Sequence, residues 1–295
     1  MHSESINNKN TIAIWYDRNL KVELDVNLSI ISDSKFIEFG VKVEVPENIS
    51  SKINEYYVNL YLPFLINDNE LIPIKLSNNL PLIRAMFNEE IDITIRKYVK
   101  IKYQKNVLNK EFCIRDLKDI NIERNNFYSI IKIKVIHSSN ECKAYYYRFR
   151  VNKMNAFYKA EEKNIPFIDG FFKKNEIIDF TINKEDRLYS DIVNVMKHYK
   201  TKIYRSNVFV IATEKEDLIE DYGYDKKISA SDIWRKHYLN NGLMDDLVVY
   251  HYKGKEGLYL KFELNKTSRF IYLIVFLLLI ITFIASFKTM LCKCS

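Results

Sequence analysis

The chain has 295 residues, of which 47% are hydrophobic and 28% charged, with 45 Lys and Arg against 38 Asp and Glu for a formal charge of +7. Four cysteines do not make a disulfide framework, and six glycines leave little room for phosphate-cradling loops. The roughly 265 residues that precede an apolar C-terminal run are enough for one large or two ordinary domains with full cores.

Residues 1–10 are expected to form a polar N-terminal tail. They lack the basic and then apolar pattern of a secretory signal. From there to about residue 155 the chain is written in period two, as a sheet requires. Leu20, Val22, Leu24, Val26 and Leu28 alternate with Lys21, Glu23, Asp25 and Asn27. Ile37, Phe39, Val41, Val43 and Val45 alternate with Glu38, Gly40, Lys42 and Glu44, and Pro46 ends the run. Val58, Leu60 and Leu62, then Ile91 to Tyr103, then Ile131, Ile133 and Val135, then Tyr145, Tyr147, Phe149 and Val151 continue the pattern. One apolar and one polar face per strand favours antiparallel sheets with one side wet. The expected fold is mainly β, with an antiparallel β-sandwich over 11–155.

Residues 156–265 read as a smaller α+β, membrane-proximal region. Ile177–Ile182 is a short strand, and Glu185–Tyr199 carries apolar residues at helical spacing. Val208–Ala212 is an apolar strand. Thr213 and Glu216 fit a capping box that predicts a short helix after them. A helix through Trp234 to Leu239 and a hairpin of Val248–Tyr252 with Leu258–Leu264 complete the region.

Phe270 to Phe287 contains no charged residue and is bounded by Arg269 and Lys288. As a helix it would span roughly 27 Å, close to a hydrocarbon core of about 30 Å. It predicts one C-terminal transmembrane helix over 270–288, with a short tail at 289–295. Without a signal, the large N-terminal domain is expected in the cytoplasm, and the cysteine usage agrees with that side. Asn27, Asn48 and Asn265 fit the glycosylation pattern but carry no meaning on a cytosolic face.

The strongest chemical signal is electrostatic. From Arg96 to Lys174 there are 19 Lys and Arg against 8 Asp and Glu. Arg96, Lys100, Lys102, Lys132, Lys134, Arg148 and Arg150 fall on the polar faces of strands, together with Tyr98 and Tyr146. Were those strands neighbours, they would form a basic surface with interleaved rings, suited to phosphates, bases or anionic headgroups. Trp234, His237, Tyr238, Tyr250, His251 and Tyr252 form a second cluster, read chiefly as aromatic packing. No metal site, cofactor motif or catalytic nucleophile pattern is present in the sequence. The leading expectation is a tail-anchored adaptor or sensor that binds a protein partner, a second copy or an anionic ligand at the membrane lipid surface. The rivals are a membrane-disrupting effector of a bacterial defence or toxin system and an anchored hydrolase acting on nucleic acid or lipid.

Overall fold

The computed structural model describes residues 10–31, 35–46, 54–87, 91–95, 99–103, 111–117, 120–137, 142–154, 157–161, 173–214, 216–220, 223–229, 232–238, 246–265 and 277–283. In chain order the strands are β1 (Thr11–Tyr16), β2 (Lys21–Ser29), β3 (Phe36–Glu44), β4 (Asn54–Leu62), β5 (Leu71–Pro73), β6 (Ile91–Ile95), β7 (Val99–Tyr103), β8 (Glu111–Ile114) and β9 (Ile120–Arg124). They continue as β10 (Ser129–His137), β11 (Ala144–Val151), β12 (Tyr158–Glu161), β13 (Lys173–Ile182), β14 (Ile203–Thr213), β15 (Glu216–Glu220), β16 (Lys226–Ser229), β17 (Leu247–Lys253) and β18 (Gly257–Asn265). Three short helices accompany them among the described residues before the C-terminal run: α1 (Leu80–Phe87), α2 (Ser190–Met196) and α3 (Asp232–Tyr238).

The strands form two sheets. The eight-stranded sheet has the order β15-β18-β13-β1-β4-β10-β9, with β12 beside β13. The ten-stranded sheet has the order β16-β17-β14-β2-β3-β11-β8-β7-β6, with β5 beside β11. One core lies between them. Ile12, Ile14, Leu60, Ile131 and Phe180 come from the first sheet, and Val22, Leu24, Phe39, Val41, Tyr147 and Val208 from the second. These are the apolar members of the period-two runs, and each is at most 5% exposed. Burying such a side chain stabilises the fold by about 1.5–3 kcal/mol, so the alternation supplies the main force that closes the two sheets on each other.

The fold differs from the sequence expectation in four places. The sheets are mixed: β1 pairs with β13, β2 with β14 and β8 with β11 in parallel. The β1–β13 and β2–β14 pairings join strands from both sides of residue 155, so both regions contribute strands to both sheets and side chains to the one core. Glu216 does accept the Thr213 N–H as a capping box would, but the chain continues as β15 along β18 and not as a helix. β17 and β18 are not a hairpin. Gly254, at φ +67°, lets the chain leave the ten-stranded sheet and enter the other.

Cys113 and Cys142 are joined as a disulfide, with their Cα atoms 5.8 Å apart. Their sequence distance had hidden a contact that the β8–β11 pairing creates. Of the apolar run at 270–287, residues 277–283 are described; they are helical and their side chains are exposed. Phe270 and Phe287 lie outside the described residues. Among the described residues no helix is long and apolar enough to cross a membrane.

Candidate ligand cavity

The outer face of the ten-stranded sheet carries the polar members of the same strands. Register places them in rows. One row runs Asn207, Asp25, Gly40, Arg148 across β14, β2, β3 and β11. The next runs Lys226, His251, Phe209, Asn27, Glu38, Arg150. A third runs Arg205, Glu23, Lys42, Tyr146.

Two helices cover this face. α1 starts where the Leu82 N–H donates to Asn79 Oδ1 at 3.1 Å, with Pro81 in its first turn. Its Leu82 and Ile83 pack with Ile101, Phe112, Ile114 and Tyr146. α3 lies beside it, and Trp234 Nε1 donates to the Ala85 carbonyl at 3.2 Å. The Trp234 ring stacks on Tyr238, with centroids 5.2 Å apart and planes 5° off parallel.

Beneath α3 the charges are saturated. Glu38 is fully buried and accepts Arg148 Nε. It also accepts Arg150 Nη2 at 3.0 Å and contacts His237 Nε2 at 3.1 Å. Burial by itself would raise the Glu38 carboxyl, but the charge of Arg148, the His237 contact and the charge of Arg150 outweigh it. The group is held well below the usual carboxylate range. Arg148 Nη1 donates onward to the Tyr146 hydroxyl at 2.9 Å, and Nη2 to Tyr238 at 3.3 Å. Burial pushes both phenols well above their ordinary value. Gly40 makes room for this arrangement, because a Cβ there would lie 2.0 Å from the Tyr146 hydroxyl.

Next to this network, between the sheet and the two helices, lies a cavity of about 390 Å³. Volumes of this order suit a drug-sized ligand. Its walls include Phe87, Phe209, Trp234 and Tyr238. Its floor includes Asp25, Asn27, Asn207 and Arg148, and its edge Arg205, Lys226 and His251. Asp25 Oδ1 accepts Asn207 Nδ2 at 2.7 Å. Asn207 Oδ1 in turn meets His251 Nε2 at 3.2 Å. The His251 ring lies flat on Phe209, with centroids 4.5 Å apart.

Burial raises the Asp25 carboxyl, and the Asn207 hydrogen bond and the charges of Arg148 and Arg205 offset only part of that rise. Burial lowers the His251 imidazole below its ordinary value, against the opposing charge of Asp225. One side of the Asn27 amide bonds the Tyr238 hydroxyl, while Oδ1 is buried without a hydrogen-bond partner among the described residues. Native folds leave few such groups unpaired. Among the described residues no group of three or more His, Cys, Asp or Glu is placed to hold a metal ion.

The residues singled out from sequence do not share one surface. Lys132 and Lys134 are on β10 of the other sheet, paired with Glu123 and with Glu55. Lys100 and Lys102 face opposite to Tyr146, since Lys100 registers with Cys113 and Ile114 with Tyr146. Lys100 pairs with Glu111 at 2.7 Å. Arg96 and Tyr98 lie outside the described residues. Tyr146, Arg148 and Arg150 do share a face, but it is a covered one, and Arg148 is only 4% exposed. The single basic face expected from strand adjacency is therefore replaced by separate patches and one buried network. Sequence reading missed α1, whose eight residues lie between the short strands β5 and β6. It also read the alternation of Glu23, Asp25 and Asn27 as a wet face, although that alternation was the signal for the cavity floor.

No protein-family model matches the chain, and no curated protein matches it.

Proposed function

We propose that this chain is a membrane-tethered binding protein whose cavity takes a small anionic ligand. The observation that carries the reading is the 390 Å³ cavity, with Arg205 and Lys226 at its edge. Both are exposed, and neither makes an ion pair among the described residues. Cations held beside a partly enclosed space, with a polar floor and aromatic walls, are what a small anion with an organic body requires. The tether is residues 270–287, whose apolar length matches a bilayer core. The Cys113–Cys142 bond weighs toward an oxidising compartment for the sheets, against the cytoplasmic side expected from the N-terminus. Protease protection of sealed membrane vesicles decides between the two sides.

The binding reading is tested by melting the full-length protein in mild detergent against phosphate, sulfate, dicarboxylates, sugar phosphates and nucleotides. A ligand at a hundred times its Kd should stabilise the fold by about 2.7 kcal/mol. One class should produce such a shift, and Arg205→Glu combined with Lys226→Glu should abolish it. No shift with any anion, and no small molecule retained through purification, would sink the reading.

A further inference from the structure

We infer that the ligand is a nucleotide whose base carries an amino group. This rests on the anionic-ligand reading and adds the chemistry of the rest of the molecule. The cavity is zoned. Cations stand at the edge, at Arg205 and Lys226. Flat rings form the walls: the Trp234–Tyr238 stack from α3 and the Phe209–His251 stack from the sheet. The floor accepts hydrogen bonds. Asp25 spends Oδ1 on Asn207, while Oδ2 has no hydrogen-bond partner among the described residues and the side chain keeps partial access.

Each zone excludes a class of anion. Sugar phosphates and dicarboxylates have no flat aromatic ring for the aromatic walls, where stacking on a base is favourable whatever its identity. Simple aromatic acids stack but offer no donor edge to a buried carboxylate, which would then lose its solvation without compensation. Adenine, guanine and cytosine each present an exocyclic amino group that a carboxylate accepts. Uracil has only its N3–H on that edge, between two carbonyl oxygens that set lone pair against lone pair at the carboxylate. Phosphate at the edge, ring between the walls and amino group on Asp25 use the three zones together.

The test is a calorimetric titration of the full-length protein in mild detergent with AMP, GMP, CMP, UMP, ribose 5-phosphate and inorganic phosphate. At least one of the amino-bearing nucleotides should bind tenfold or more tightly than UMP and ribose 5-phosphate. Asp25→Asn should bring that nucleotide to within about threefold of UMP, whereas Arg205→Glu should weaken all phosphates together. The wild-type comparison needs no variant, so a misfolded Asp25→Asn protein leaves the test intact. Equal binding of ribose 5-phosphate and the nucleotides, or of UMP and the others, overturns the base assignment and leaves the anionic-ligand reading standing. Binding of a dicarboxylate in place of every phosphate does the same. Failure of every anion overturns both.

Discussion

Two neighbouring patches on one face of one sheet are built from the same residue types and end in opposite electrostatic states. At Glu38 the carboxylate is surrounded by Arg148, Arg150 and His237, and its charge is fully answered. At Asp25, in the next row and one strand away, a partly accessible carboxylate has a single amide partner among the described residues and faces a cavity. The first patch locks α3 onto the sheet. The second leaves hydrogen-bonding capacity unspent. Burying an ionised group is costly unless it is compensated, so saturation suits a structural role, and the unspent capacity at Asp25 is what the proposed ligand would use.

The largest effect should come from breaking the saturated patch. Glu38→Gln leaves the buried Arg148 and the half-buried Arg150 short of an anion and should cost about 3–5 kcal/mol in chemical denaturation. Its pH dependence sharpens the point. The folded-state value of Glu38 lies below its ordinary 4.5, so its contribution is complete above about pH 4.5 and fades as pH falls through the depressed value. The stability gap between wild type and Glu38→Gln should therefore narrow in acid, and a gap constant from pH 7 to 3 would contradict this account.

Replacing Cys113 and Cys142 together by Ser should cost about 2–4 kcal/mol, by releasing a closed loop of the unfolded chain. Wild type under reductant should lose the same amount. Gly40→Ala forces Tyr146 away from its bond with Arg148 and should cost about 1–3 kcal/mol. The smallest effect on stability should be that of Asp25→Asn. Folding raises the Asp25 carboxyl, so its ionisation weakens the fold as pH rises through that value. The variant should fall within about 1 kcal/mol of wild type at neutral pH or exceed it. A loss as large as that of Glu38→Gln would erase the contrast between the patches.

Much of the core was legible in sequence, because period two is a local property. Val22, Leu24 and Val26, or Phe39, Val41 and Val43, point to one side whatever their neighbours are, and that side is the core. Adjacency is not local. The basic excess between Arg96 and Lys174 is real, but β10 and β11, seven residues apart, enter different sheets and separate Lys132 from Arg148. Arg150 was expected on a wet surface and instead lies over the Phe36 ring at 3.7 Å while binding Glu38. The cavity was illegible for the same reason. Asp25, Asn207 and His251 meet only because β14 lies parallel to β2, across about 180 residues of chain. His251 had been placed in an aromatic packing cluster, and its stack on Phe209 fits that reading, but its other contact, to Asn207, belongs to the cavity floor.

The most direct test is native mass spectrometry of the full-length protein purified from its native cells in mild detergent. Three forms are compared: wild type, Arg205→Glu with Lys226→Glu, and Lys132→Glu with Lys134→Glu. A small anionic molecule bound to wild type and to the Lys132/Lys134 variant, but absent from the Arg205/Lys226 variant, is the result predicted here. A bound molecule that survives the Arg205/Lys226 change and is lost on the Lys132/Lys134 change would contradict it, and would return the binding surface to the other sheet.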